Sequence, residues 1–365
     1  MRFSGFDDEW IEEKLGNLVQ IKSGECTKNL ITGIDNSIPY FKVEQLNNSL
    51  KYQIKTPYFI NDKSKIVNKG SIIFPKRGAA ILLNKIRILN QDSFMDTNLM
   101  TLTPNNKLYN EFLYYFIYKE NLSKIADTTS IPQLNNKHIK PYPIKLPSFE
   151  EQLKISKFIS SVDKKVALLS QNLEIFNDFK KGLLQQIFTQ KLRFDFSDEW
   201  NYVNFNNIFK SASTKKYQIK SAEIMANGDF EVIDQGKDEI AGYFNDKNKL
   251  CYELPIIIYG DHTTFVKFRD KPFIVGADGV KLLLPKIDSN LKYLFYALEY
   301  FNIKPEGYKR HFSIIKKIKL PIPSLEEQNE ISEMFSSVDN KLKYTQKQLQ
   351  ETKKFKKGLL QQMFV

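Results

Sequence analysis

The strongest constraint on this chain is a gapless internal repeat. Residues 147–188 read PSFEEQLKISKFISSVDKKVALLSQNLEIFNDFKKGLLQQIF, and residues 323–364 read PSLEEQNEISEMFSSVDNKLKYTQKQLQETKKFKKGLLQQMF. About half of the aligned positions are identical. Self-similarity of this kind decides architecture before any local reading. It implies a first body over residues 1–146, a repeat helix over 147–190, a second body over 191–322 and a second repeat helix over 323–365. A shorter repeat marks the entrance to each body: FDDEW at 6–10 and FSDEW at 196–200, preceded by Arg2-Phe3 and Arg193-Phe194. After the first helix the chain runs on through Lys191-Leu192-Arg193-Phe194, and Met1-Arg2-Phe3 reads like the same joint, severed. The sequence is close to circular. Its two ends are expected near each other, with the halves related by a pseudo-two-fold axis.

The repeated segments carry their own start signal. Pro147 and Pro323 cannot lie in a helix interior. Ser148 and Ser324 then serve as N-caps, with Glu151 and Glu327 three residues on, the pattern of a capping box. Inside the first copy, apolar residues recur at steps of four and three: Ile155, Ile159, Val162, Val166, Leu169, Leu173, Phe176, then Leu183 and Ile187. The second copy gives Ile331, Phe335, Val338, Leu342, Thr345, Leu349, Thr352, Leu359 and Met363. This is heptad spacing, the signature of a coiled coil. Both copies interrupt it at one place, Lys180 and Lys356, beside Phe179 and Phe355, where a local shift of register is expected. Two copies in one near-circular chain favour an intramolecular antiparallel pair, each helix about 60 Å long.

Each body reads as α+β. Short apolar runs bounded by Gly, Asn, Asp and Pro predict strands in body one near 18–22, 38–43, 71–75, 81–88 and 98–102, and a helix over 110–124. Body two repeats the order, with strands near 230–233, 255–259, 265–268, 272–275 and 280–284 and a helix over 291–301. A polar loop closes each body, at 127–147 with four prolines and at 303–323. The bodies share the order of elements but little sequence.

Net charge is +12 with a pI near 9.2, which favours a polyanionic partner. The excess falls on the bodies, about +6 and +4 by residue count, while each helix segment carries about +1. Two cysteines, Cys26 and Cys251, cannot form a disulfide framework and suit a reducing cytosol. No apolar run approaches a membrane span, and MRFSGFDDEW lacks the form of a signal peptide. A cytoplasmic location with no membrane contact is expected.

The search for chemistry is mostly negative. No phosphate-binding G-x-x-x-x-G-K-[ST] motif occurs, and Gly276-Ala277-Asp278-Gly279 is a turn rather than a dinucleotide fingerprint. Three histidines and two scattered cysteines do not make a zinc site, so no metal is expected on this chain. What remains is recognition equipment. The closing loop of body one offers Gln133, Asn135, Asn136, Lys137 and His138. Body two offers Lys309, Arg310, His311, Lys316 and Lys317. Strand-end loops add Lys76 and Arg77 in body one, and Asp261, His262, Thr263 and Thr264 in body two. Amide side chains can pair with adenine, and cations can reach guanine or phosphate. Two other classes stay open. One is a stand-alone DNA-cleaving enzyme using body two; Asp234-Gln235-Gly236-Lys237 could be forced into a nuclease triad there, but a turn before strand-like residues explains that segment better. The other is a coiled-coil scaffold that binds protein and not DNA.

The set of motifs resembles the specificity subunit of type I restriction-modification systems. The resemblance rests on the FDDEW and FSDEW entrances, Ile38-Pro39-Tyr40, and GDFEVIDQG followed by Ile240-Ala241-Gly242-Tyr243. It rests equally on both Pro-Ser-x-Glu-Glu-Gln helix starts and both Lys-Gly-Leu-Leu-Gln-Gln ends, and it covers the whole chain. It implies a bacterial, non-catalytic subunit whose two α+β bodies are target recognition domains, each reading half of an asymmetric DNA sequence. The paired helices would set the gap and dock two methyltransferase subunits. S-adenosylmethionine would then belong to those partners, and ATP and magnesium to a restriction subunit where one is present. None would bind this chain.

Overall fold

The computed structural model describes residues 2–27, 30–32, 37–61, 66–127, 131–307 and 309–364. Parts of the two closing loops, residues 128–130 and Tyr308, lie outside them. The chain forms two compact units, residues 1–169 with 348–365, and residues 170–347. Each unit thus holds one body, the start of one long helix and the end of the other.

In the first unit the chain enters and leaves its body through one antiparallel pair. Strand Ile11–Lys14 lies beside Pro143–Leu146, with Ile11 opposite Leu146. Between them runs a five-stranded sheet ordered Val19–Ser23, Leu99–Pro104, Ile72–Pro75, Arg87–Leu89 and Tyr52–Gln53. Ile72–Pro75 is buried along its whole length, as expected of a strand covered on both faces. A four-stranded sheet ordered Ile31–Thr32, Tyr58–Ile60, Ile38–Phe41 and Phe94–Met95 completes the body. Helix Asn110–Glu120 buries every residue from Phe112 to Ile117. The strand expected over 81–88 forms only at Arg87–Leu89. Ala79–Ile81 is a 3-10 turn, and Asn84 adopts a positive φ of 46°, which breaks extended structure ahead of Arg87.

The second unit repeats this plan. Asn201–Asn204 pairs with Lys319–Ile322 at entrance and exit. One sheet runs Phe209–Ala212, Val280–Pro285, Ile256–Gly260, Val266–Arg269. The other runs Gln218–Ile219, Ile274–Gly276, Phe230–Ile233, Gly242–Phe244. Helix Leu291–Tyr300 stands where Asn110–Glu120 does in the first unit. The short entrance and exit strands escaped sequence reading because four half-exposed residues carry too little alternation to register.

The long helices span Phe149–Phe188 and Leu325–Met363 without a break. In the first unit Ile155, Ile159 and Val162 share a core with Leu359, Leu360, Met363 and Phe364, so the start of one helix meets the end of the other. Phe3 packs on the same core, placing both ends of the chain together there. In the second unit Leu184, Ile187 and Phe188 join Ile331 and Phe335. Of the expected heptad residues, Val166, Leu173, Phe176, Leu183 and Leu342 are half-buried and the rest are buried. Thr345 and Thr352 are buried with their hydroxyls donating to the Lys341 and Gln348 carbonyls.

Two expectations about these helices need correction. The capping box is only half formed. Ser148 Oγ accepts from the Glu151 N–H and Ser324 Oγ from the Glu327 N–H, both at 3.3 Å. Both glutamate side chains, however, turn toward the body. Glu151, 1 % exposed, receives Arg2 Nε and Nη2 at 2.9 and 2.7 Å and Trp10 Nε1 at 3.2 Å. Glu327 receives Arg193 Nε and Nη2 at 2.8 and 2.9 Å and Trp200 Nε1 at 3.0 Å. A bidentate arginine outcompetes a single backbone N–H for a carboxylate.

The register shift is absent as well. Lys180 and Lys356 sit in heptad phase: Lys180 is seven residues from both Leu173 and Ile187, and Lys356 is seven from both Leu349 and Met363. Each is neutralised by the other helix: Lys356 Nζ lies 2.6 Å from Asp163, and Lys180 Nζ 2.9 Å from Asp339. Tyr115 and Tyr296, from the two body helices, donate to the same aspartates at 2.7 and 2.8 Å. Lys180 also meets Glu299 at 3.0 Å. Burial works against its charge, but Glu299 and Asp339 outweigh that and raise its pKa above the usual lysine value. A charged residue is therefore accommodated in the seam without a change of period.

Asp163→Asn keeps an acceptor for Tyr115 but strips Lys356 of its counter-charge. It should cost about 2–3 kcal/mol, below the figure for a fully buried pair because both groups stay partly exposed. Adding Lys356→Met should recover most of the loss, read from urea midpoints. Equal midpoints for the wild type and Asp163→Asn would refute the role of the pair.

Candidate nucleic-acid interface

In body one, two loops distant in sequence meet at one edge. Lys76 follows strand Ile72–Pro75; its N–H donates to Asn98 O at 2.8 Å and its carbonyl accepts from Leu134 N–H at 2.8 Å. Gly78 N–H donates to Pro132 O at 2.9 Å, and a backbone bridge joins Arg77 to Gln133. Gly78 has φ +87°, a conformation that glycine adopts without strain. Arg77 is exposed. Lys76 is half-buried, and burial followed by the neighbouring Arg77 charge lowers its pKa. Asn135 precedes the short helix Asn136–Ile139, and its N–H donates to His138 Nδ1 at 3.1 Å, so His138 serves the cap. Asn136 and Lys137 remain exposed on the first turn.

Body two builds the same edge with different residues. Asp261 follows strand Ile256–Gly260; its N–H donates to Gly279 O at 2.7 Å and its carbonyl accepts from His311 N–H at 2.7 Å. Three expected contact residues prove structural here. Asp261 is 3 % exposed, and its carboxylate accepts from Phe312 N–H at 2.8 Å with Lys281 Nζ at 3.7 Å. His311 is fully buried; Nε2 accepts from Glu306 N–H at 3.0 Å and Nδ1 faces Asp261 O at 3.1 Å. Thr264 is 5 % exposed with φ +61°, and its carbonyl takes Asn302 Nδ2 at 2.6 Å. The common reason is that a tight loop packed against a body must satisfy its backbone groups internally. The Asp261 and His311 side chains, which resemble readout equipment in sequence, are consumed doing so.

Sequence reading met Gln235 only as part of the Asp234-Gln235-Gly236-Lys237 segment and missed its role. Its Oε1 accepts from His262 N–H at 3.0 Å, its Nε2 donates to Asp278 O at 3.1 Å, and its carbonyl accepts from the Thr263 hydroxyl. It ties three loops together. Gly279 (φ +86°) lies so close that a Cβ there would sit 2.7 Å from the Gln235 amide. The signal was present, in the Asp234-Gln235-Gly236 turn directly after strand Phe230–Ile233. Asp234 Oδ1 accepts from Gly236 N–H at 2.8 Å, and the Asp234 carbonyl accepts from the buried Lys267 Nζ at 3.0 Å. These bonds make the segment a turn, as expected from its sequence. Lys309 pairs with Glu306 at 2.5 Å. Arg310, Lys316 and Lys317 are exposed, with Lys316 above the Phe312 ring.

Each body thus presents one hydrogen-bonded loop edge with exposed cations, and no metal-holding cluster of His, Cys, Asp and Glu occurs among the described residues. The family model described as type I restriction modification DNA specificity domain matches residues 7–175 and again 197–354. The chain belongs to this family and carries its domain twice. It is 24 % identical to a putative type I restriction enzyme specificity subunit, MjaX, of Methanocaldococcus jannaschii, over 97 % of this chain and 92 % of that one. It is 25 % identical to a putative type I specificity subunit of Mycoplasma pneumoniae, over 86 % of this chain and 83 % of that one. In fold it resembles the crystal structure of the type I restriction-modification S subunit from M. genitalium. The TM-score is 0.66 at 18 % identity, covering 100 % of this chain and 97 % of that one.

Neighbouring residues of the body-two edge should respond unequally to truncation. His311→Ala should lower stability by about 2–4 kcal/mol through lost packing and two broken hydrogen bonds. Arg310→Ala should stay within about 0.5 kcal/mol of wild type. Denaturant titration of both variants checks this, and equal losses would contradict the division drawn between them.

Proposed function

We propose that this chain is the DNA sequence-reading subunit of a type I restriction-modification complex. Each body reads one half of a bipartite target. The observation that carries the reading is that the DNA specificity family matches both halves of the chain, while the loop edges of the two bodies differ in residue content. Different edges suit different half-sites, hence an asymmetric target. The long helices act as the spacer between half-sites and as the docking surface for two methyltransferase subunits. A spacer of nearly balanced charge adds stiffness without competing for DNA.

The chain itself is non-catalytic in this reading and holds no cofactor. S-adenosylmethionine belongs to the methyltransferase partners, and ATP and magnesium to a restriction subunit where the system has one. The complex works in the cytoplasm, where the DNA and these partners are. Among the described residues no helix is long and apolar enough to cross a membrane. Exposed cations such as Lys137, Lys316 and Lys317 supply phosphate contacts, so affinity falls steeply with salt.

Two constructions test the reading. Replacing residues 11–146 with the corresponding body of another specificity subunit should change one half of the methylated motif and leave the other intact. Inserting seven residues into both helices at equivalent positions keeps the heptad phase and lengthens each by about 10 Å. The preferred gap should then widen by about three base pairs, at 3.4 Å each. Motif mapping by genome-wide methylation reads both, and an unchanged gap would eliminate the spacer role.

A further inference from the structure

Lysine outnumbers arginine eight to one in this chain, 48 against six among the 54 basic residues, so each arginine is a distinct choice. Four of the six are used inside the protein. Arg2 and Arg193 bind Glu151 and Glu327. Arg87 donates to the Ser49 and Ile86 carbonyls at 2.7 Å each. Arg269 meets Glu231 at 3.3 Å and Glu239 at 3.5 Å. The guanidinium groups of Arg77 and Arg310 alone have no hydrogen-bond or ion-pair partner among the described residues, and both side chains are exposed.

These two fall one to a body, at matching places. Lys76 and Asp261 are equivalent by their bonds: each follows a buried inner strand, donates its N–H to the residue just ahead of that strand's antiparallel neighbour (Asn98 or Gly279), and accepts from the closing loop through Leu134 or His311. Arg77 stands one residue after Lys76. Arg310 stands one residue before His311. Body one therefore carries its free guanidinium on the strand-end side of the edge, and body two carries it on the closing-loop side. The backbone is tied down at the residue after each, by Gly78 N–H to Pro132 O at 2.9 Å in one case and His311 N–H to Asp261 O at 2.7 Å in the other.

We propose that Arg77 and Arg310 are the guanine-reading residues of the two half-sites, one in each body; this rests on the DNA-reading function proposed above. A planar guanidinium with no internal carboxylate keeps its whole donor fork for a ligand, and O6 and N7 of guanine in the major groove match that fork bidentately. A phosphate contact would be served equally well by any of the many lysines. A fork set beside hydrogen-bonded backbone, the one unpartnered guanidinium in each body among the described residues, suits a base edge. Arg77 sets one position in the first half-site and Arg310 sets one in the second. The swap of sides makes the two recognition geometries differ, as an asymmetric target requires.

The test uses the full chain and a pool of random-sequence duplexes, with the selected sequences compared between wild type, Arg77→Ala, Arg77→Lys and Arg310→Ala. Wild type should select a bipartite motif. Arg77→Ala should lose preference for a single guanine in one half-site, with about 5- to 150-fold less discrimination there, and keep the other half-site. Arg77→Lys should lose most of that discrimination while keeping the wild-type salt dependence. Arg310→Ala should do the same to the other half-site. Thermal melting should be unchanged in all three, since neither side chain has an internal partner. If Arg77→Ala weakens every sequence alike and flattens the salt dependence, the residue is a phosphate contact and the inference fails. If wild type selects a motif that neither alanine variant alters, the inference fails while the DNA-reading function stands. If wild type selects no motif, both fall.

Discussion

One carboxylate fastens each body to its helix. Glu151 and Glu327, both almost fully buried at the first turn of a long helix, each take an arginine fork and an indole N–H from the entrance segment. The next residue completes the joint. Gln152 accepts from Tyr109 N–H and donates to Pro147 O, while Gln328 accepts from Asn290 N–H and donates to Pro323 O. The Glu-Gln pair therefore binds the chain entering the body, the helix inside it and the strand leaving it to one helical turn. Such a buried, multiply bonded carboxylate is costly to leave half-satisfied, and this explains why the same residues stand at both copies.

The seam between the long helices works on the same logic. Lys180 and Lys356 occupy core positions that a leucine could fill, and each is answered by an aspartate of the other helix. A polar residue at a core position restricts pairing to the register in which it finds its partner. Because the aspartates also receive Tyr115 and Tyr296, the seam and the orientation of each body helix are set by one shared network. In the first unit the network extends further. Lys51 Nζ reaches Glu111 at 2.7 Å, Tyr115 Oη at 2.9 Å and Ser160 Oγ at 3.2 Å. The second unit uses Glu299 instead.

At the loop edges the same pressure to satisfy buried polar groups decides which residues are free to meet a ligand. Asp261 and His311 are used up holding backbone, Thr264 is buried with its own carbonyl held by Asn302, and Gln235 holds three loops at once. Arg77, Arg310 and the exposed lysines are left over. Recognition capacity is what remains once the loop has met its own hydrogen-bonding needs.

The repeat determined most of the architecture by itself: two α+β bodies, two long helices, and chain ends that meet at the Phe3 and Phe364 core. Heptad spacing and the proline-serine starts are local properties, so helix limits near 149–188 and 325–363 were legible directly. Inner strands such as Ile72–Pro75 and Ile256–Gly260 were legible for the same reason, as continuous apolar runs. Only the tertiary structure decided the rest. The lysines read as interruptions because sequence shows a charge but not the aspartate on the opposing helix. The glutamates read as caps because the competing arginine lies about 130 to 150 residues away. Asp261, His262 and His311 read alike as polar loop residues, since their difference lies in which backbone groups surround them. A hydrogen bond between distant segments has no period and no local motif, and folding alone brings its two ends together.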